Sequence, residues 1–309
     1  MASLNSTFGA TLVAIVVEAT LYGITLLQTF FYFRKYHSDH WFTKSLVIIL
    51  TFLDTLHLVL ALHTVYWYLV TNFGNSDNLN NSVWSLNVQT DCQTFITVIV
   101  ECFFARRLWL MGKNWLLVTT IVVMALLQII AVIIFTIESF RLVQFAKFTT
   151  LTWEICLGLG ASVVGDVIIA ASMCYYLYRR RTGLGKTDSV VTMLMVYSVN
   201  SGVLTSIVAL LSLILFLAMP TNLVWISVFF LLGKCYVNAF LGLLNSREQL
   251  RSGLGGIVTL SEFAGGLDGS TARGAARAPS GDAAARRRRV DPLPDPEDAK
   301  GRGSPGETW

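Results

Sequence analysis

A chain of 309 residues that is 54% apolar and only 14% charged, with a mean hydropathy of +0.61, is too apolar for a water-soluble globule, in which about a quarter of residues are charged. That class is excluded, and an all-α integral membrane protein is expected, because a helix satisfies its own backbone groups where no water is available. The formal charge of +4 then reports on topology rather than on nucleic acid, since the basic residues fall between and after apolar segments; the expected partner is the lipid bilayer, with no nucleic acid.

Seven apolar stretches are long enough to cross a bilayer, which takes about 20 helical residues. The first, residues 9–33, carries Thr11, Glu18, Tyr22, Thr25 and Thr29 at helical spacing and lacks both a basic segment before it and a cleavage site, so it is read as a retained helix. The second, 45–71, places Asp54 and His57 on one face, and the third, 92–112, is interrupted by Glu101, Arg106 and Arg107. The fourth is 114–138. The fifth, 153–178, has small residues at Gly158, Ser162, Gly165 and Ser172 beside Asp166, a spacing that lets helices approach closely. The sixth, 189–219, aligns Ser198, Ser201 and Thr205; the seventh, 221–244, aligns Ser227, Lys234, Asn238 and, just beyond it, Asn245.

Basic residues set the expected orientation. The first, third and fifth connections hold Arg34, Lys35, Lys44, Arg106, Arg107, Lys113, Arg179, Arg180, Arg181 and Lys186, whereas the other side holds only Arg141 and Lys147. By the positive-inside rule the amino terminus is outside and the carboxyl terminus cytoplasmic. The triplet Asn80, Asn81, Ser82 falls in the second connection, on the side this topology makes luminal, so Asn80 is a candidate glycosylation site. The seven-helix domain is taken as 1–251. From 252 to 309 the composition turns to Gly, Ala, Arg, Pro and Asp, which cannot bury a core and is expected to form a disordered cytoplasmic tail. Within it Arg286, Arg287, Arg288 and Arg289 are a candidate contact for anionic lipid, with a solvated linker as the competing reading. The location is the plasma membrane or another endomembrane.

Ionisable side chains inside a membrane cost about 2.5–3.5 kcal/mol each on insertion scales, so they turn inward and find partners. Glu18, Asp54, His57, Glu101, Asp166, Lys234 and Asn238 are therefore expected to form one polar core shared by helices one, two, three, five and seven. Lys234 is expected to pair with Asp166 or Glu101, which lie at similar depth. Whether the core only fixes packing or also lines a water-filled cavity stays open at this stage.

Several specific chemistries find no support in the residue supply. A retinal-type lysine in the last helix would have an aspartate four residues earlier, where Phe230 stands. A zinc hydrolase needs convergent ligands, yet of four histidines His37 and His40 lie in a connection, while His57 and His63 point to different sides of one helix. No metal, cofactor or catalytic residue is expected, and the protein is not read as an enzyme. The third helix ends "CFFARRLW" and the seventh has no proline, so the motifs of rhodopsin-type receptors are missing. Five single cysteines suggest neither a zinc site nor a disulfide scaffold; a Cys92–Cys156 bridge at the outer helix ends stays open.

The stretches "LYGITLLQTFFYFRKYHSD", "FLDTLH", "CFFARRLW" and "GKCYVNAFLGLLNSREQLR" resemble a family of basidiomycete fungal multi-pass membrane proteins whose later helices carry a domain of unknown function, the 6534-type domain. The resemblance covers about residues 9–251 and is most specific at Lys234, Tyr236, Asn238, Leu244, Asn245, Ser246 and Arg247. It implies a fungal seven-helix bundle and supplies no activity. The function expected from topology and buried charge is a receptor-like or sensor protein, with an unknown small-molecule ligand. The alternatives are a small-solute or proton-coupled transporter and a structural membrane protein without a ligand.

Overall fold

Helix ends fall where the local sequence offers a substitute for the missing backbone hydrogen bond. The helix that opens at Trp41 is capped by His40, whose Nδ1 accepts from the Phe42 N–H, and the one that opens at Trp115 by Asn114, whose Oδ1 accepts from the Leu116 N–H at 3.0 Å. Lys113, at φ 49°, takes the left-handed conformation that ends the preceding helix. A two-residue connection at 113–114 thus turns the chain back on itself.

The computed structural model describes residues 4–74, 78, 81–179, 185–219 and 224–246, with side chains over 9–74, 78, 81–145, 147–179, 202–219 and 224–246. Within it run helices α1 (Leu4–Lys35), α2 (Trp41–Tyr66), α3 (Trp84–Gly112), α4 (Trp115–Leu142), α5 (Thr152–Arg179), α6 (Gly185–Ala218) and α7 (Val224–Ser246). One π-helical turn, Trp67–Thr71, prolongs α2, and a 3-10 segment, Phe145–Leu151, precedes α5. Among the described residues the β structure is a single bridge, Asn81 to Gln144. The second-connection asparagine Asn80, the tail from 252 and its Arg286, Arg287, Arg288 and Arg289 lie outside the described residues, as do the side chains of Ser198 and Ser201.

Among the described residues five helices are long and apolar enough to cross a membrane: α1, α2 with its π turn, α4, α5 with its 3-10 lead, and α7. The expectation of seven such spans is reached only in part, for a physical reason in each case. α3 starts at Trp84, well before the expected position 92, and its polar opening and its Asp91, Glu101, Arg106 and Arg107 dilute its hydropathy. Among the described residues the apolar part of α6, Gly202–Ala218, is short. Large apolar side chains stand exposed in rows, among them Val16, Leu27 and Phe30 on α1 and Leu126, Ile130 and Ile137 on α4. A water-soluble monomer does not display such continuous apolar faces; with the five span-length helices they make this an integral membrane protein.

Interhelical hydrogen bonds fix the directions. Tyr22 with Thr55 at 2.9 Å and Thr29 with Thr51 at 3.1 Å set α1 antiparallel to α2. Thr136 to Asp91 at 2.7 Å and Ser139 to Asn87 at 2.8 Å do the same for α4 and α3. α1 and α7 run parallel: Thr11 meets Ser227 at 3.0 Å, Asn238 donates to Leu21 O at 3.2 Å and Asn245 donates to Gln28 O at 2.9 Å. The polar stripe of α7 is therefore a seam against α1. α7 is the most buried of the five span-length helices. Two apolar clusters pack around opposite halves of the helices, one including Leu50, Phe104 and Phe240, the other Phe135, Leu159 and Trp225.

Candidate functional site

Two residues of α7, Lys234 and Tyr236, stand two positions apart and so point to opposite sides of one helix. Each organises a separate buried cluster. The single polar core expected from helical spacing is divided in two by the helix that was to unite it.

On the α1–α2 side, Lys234 Nζ lies 2.7 Å from Asp54 Oδ1 and donates to the Asp54 carbonyl oxygen at 2.8 Å, with both side chains wholly buried. Its nitrogen also stands 5.2 Å from the centre of the Tyr22 ring, within cation–π range. Lys234 therefore pairs with Asp54, and neither Asp166 nor Glu101 reaches it. The lysine stem spans about a helical turn, so a partner at unequal depth is accessible; which helix packs beside α7 decides the choice. Glu18 and His57 complete this cluster, with Glu18 Oε2 3.7 Å from His57 Nδ1, too long for a hydrogen bond. Both Glu18 carboxylate oxygens, Asp54 Oδ2, His57 Nε2 and Asn238 Oδ1 are buried without a hydrogen-bond partner. Asn238 spends its amide on Leu21 O and Lys234 O.

On the α3–α4–α5 side, the Tyr236 hydroxyl donates to Asp166 Oδ2 at 2.6 Å and lies 3.2 Å from Ser162 Oγ. Glu101 is held by Gln128, whose Nε2 donates to both carboxylate oxygens at 3.0 Å. Gly165 packs beside Glu101, where a Cβ would stand at contact distance, 3.4 Å from its Oε1. A void of about 10 Å³ between Glu101, Asp166, Thr205 and Tyr236 marks the meeting point. Among the described residues no lysine, arginine or histidine enters this cluster, in contrast to the ion pair on the other side.

A larger cavity opens above this second cluster, toward the amino-terminal ends of α3, α5 and α7. The centres of water-sized molecules can occupy about 60 Å³ of it, against the roughly 10–15 Å³ that one water needs. Thr90, Thr94 and Thr97 of α3, Gln128 of α4, and Glu154 and Ser162 of α5 supply its polar wall. Phe135, Trp225 and Phe229 supply much of the apolar one. Gln128 and Ser162 belong to both the cavity and the cluster below, so a molecule in the cavity touches the side chains that hold Glu101 and Tyr236.

Sequence reasoning selected the ionisable residues and passed over Gln128, Glu154 and Tyr236 as site groups. Gln128 stands alone in "ALLQII" on the most apolar helix, a lone amide that was itself a signal. Cys92 and Cys156 are free thiols, so the bridge left open between them is absent. Among the described residues no cluster of three or more metal-ligating side chains occurs.

The profile of a family described as of unknown function, DUF6534, matches residues 162–249. The match takes in Ser162, Asp166, Lys234, Tyr236 and Asn238, and leaves Glu18, Asp54, His57, Glu101, Gln128 and Glu154 outside it. No curated protein and no solved structure matches the chain.

Proposed function

We propose that this chain is a receptor-like sensor: a seven-span bundle, amino terminus outside and carboxyl terminus cytoplasmic, that binds a small molecule in the cavity between α3, α4, α5 and α7. The observation that carries this reading is the sharing of Gln128 and Ser162 between the cavity wall and the buried carboxyl cluster. A ligand that displaces either side chain alters how Glu101 and the Asp166–Tyr236 pair are held. That pair joins α5 to α7 next to α6, where Gly202 approaches Ala170 of α5. Binding on one side of the membrane thereby has a mechanical path to the helix ends on the other.

The parallel course of α1 and α7 supports an odd number of crossings. The basic residues Arg34, Lys35, Lys44, Arg106 and Lys113 gather at the end opposite the cavity, and Arg106 stacks over Phe42 at 5.1 Å, which supports a cytoplasmic assignment for that end. The likeness of "GKCYVNAFLGLLNSREQLR" to basidiomycete multi-pass proteins agrees with seven spans in a fungal plasma membrane or endomembrane.

A transporter is the second reading, favoured by the unpartnered oxygens of Glu18 and Asp54 around Lys234. Site-directed accessibility separates the two. In a variant with its five cysteines replaced, Thr94→Cys in proteoliposomes is challenged with a membrane-impermeant thiol reagent from either side. The sensor reading expects modification from the amino-terminal side alone. Modification from both sides establishes transport-type access, and protection from both leaves only a packing role.

A further inference from the structure

The cavity wall has a chemical bias. Thr90, Thr94 and Thr97 each donate their hydroxyl hydrogen to a backbone carbonyl of α3, Thr94 to Thr90 O and Thr97 to Gln93 O at 3.2 Å each. Their oxygens are left with lone pairs alone to offer. Gln128 has its amide nitrogen committed to Glu101, which leaves its carbonyl oxygen. Glu154, only 4% exposed, adds a carboxylate whose Oε2 is buried without any hydrogen-bond partner. Among the described residues no lysine, arginine or histidine lines the cavity to balance it. Glu154 stands in the first turn of α5, where acidic side chains are favourably placed against the helix dipole, yet this gives its free oxygen no bond.

A wall whose polar groups are acceptors apart from the Trp225 indole N–H is matched by a molecule that is all donor at one end. Carboxylates and phosphates, which bring only acceptors, would face these acceptor oxygens and the Glu154 carboxylate. Phe135, Trp225 and Phe229 provide an apolar body site, and aromatic faces attract cations in addition. We infer that the cavity recognises a small organic ammonium ion carrying an apolar, ring-sized body, its N–H groups directed to Glu154 and the threonine oxygens. The inference rests on the cavity being a ligand site, as proposed above, and adds the class of ligand.

The test uses the full chain in lipid nanodiscs, with empty nanodiscs as the partitioning control. The probes are 4-fluorobenzylammonium and its uncharged counterpart 4-fluorobenzyl alcohol, with binding followed by ¹⁹F relaxation. The ammonium is expected to bind saturably and more tightly than the alcohol. Glu154→Gln is expected to weaken the ammonium about tenfold or more, the scale of one charge-assisted hydrogen bond, and to leave the alcohol unchanged. Thr94→Val, which removes one acceptor and keeps the shape, is expected to weaken the ammonium selectively by a few-fold, and serves where Glu154→Gln fails to fold. Equal affinity for the two probes overturns the inference, as does an ammonium affinity indifferent to both variants. If neither probe binds saturably while Thr94→Cys is still modified from the amino-terminal side, the ligand class is wrong and the sensor reading stands. If Thr94→Cys is protected as well, both fall.

Discussion

The two faces of α7 solve the same problem in different ways. Facing α1 and α2, a buried carboxylate is met by a buried ammonium, and around the Lys234–Asp54 pair the helices close tightly. Facing α3, α4 and α5, two carboxyl groups, Glu101 and Asp166, are met by the neutral donors Gln128 and Tyr236, and a cavity lies alongside. An ion pair ties down the charge and the helices together; neutral donors hold a carboxyl group through bonds that a ligand can exchange. The first arrangement suits a fixed hinge line, and the second suits a site.

That contrast predicts an order of effects. Lys234→Met should be the most damaging, because it strands Asp54 in a wholly buried position; breaking a buried pair from one side costs about 3–5 kcal/mol. Unfolding in mixed micelles is the measurement, and adding Asp54→Asn should recover a large part of the loss while adding Asp166→Asn should not. Rescue by Asp166→Asn would mean that the two clusters are one.

Gly233→Ala should come next. A Cβ there would overlap the end of the fully buried Gln93 side chain, which has to shift to admit it, and overpacking of this kind costs about 1–3 kcal/mol. Gly242→Ala, whose Cβ meets nothing within 4 Å, is the matched control on the same helix and should be close to neutral.

Tyr236→Phe should cost less, about 1 kcal/mol, since hydrogen bonds between membrane helices are individually modest. Its signature should instead be in the cavity: with the link from Ser162 to Asp166 cut, the reactivity of Thr94→Cys toward a thiol reagent should change while Lys234→Met with Asp54→Asn leaves it unaltered. The smallest effect belongs to Arg141→Ala. Its 2.8 Å pair with Glu138 is largely exposed, and such pairs contribute about 0–1 kcal/mol, so a shift of a few tenths in the same unfolding assay is expected.

Much of the fold was legible from local chemistry. Apolar length marked the helices, the near-abutting spans 92–112 and 114–138 marked a tight reversal, and the seven-four-seven spacing of Ser227, Lys234, Asn238 and Asn245 marked a polar stripe, which proved to face α1. The candidate site was less legible. Counting depth along each helix suggested Asp166 and Glu101 for Lys234, but depth is one coordinate and a contact needs two more. Glu154 reads in the sequence as an ordinary helix-opening acid, and only the walls around it make its free oxygen notable.

The sequence by itself determined that the chain is a helical membrane protein and which side chains are too polar to face lipid, because both follow from transfer free energies that act residue by residue. The tertiary structure decided how those side chains divide. Whether Lys234 meets Asp54 or Asp166 depends on which helices flank α7, and the partner of Gln128 and the cavity beside Glu154 depend on distances between helices far apart in the chain. Those distances are set by the packing of the whole bundle, and no local spacing rule contains them.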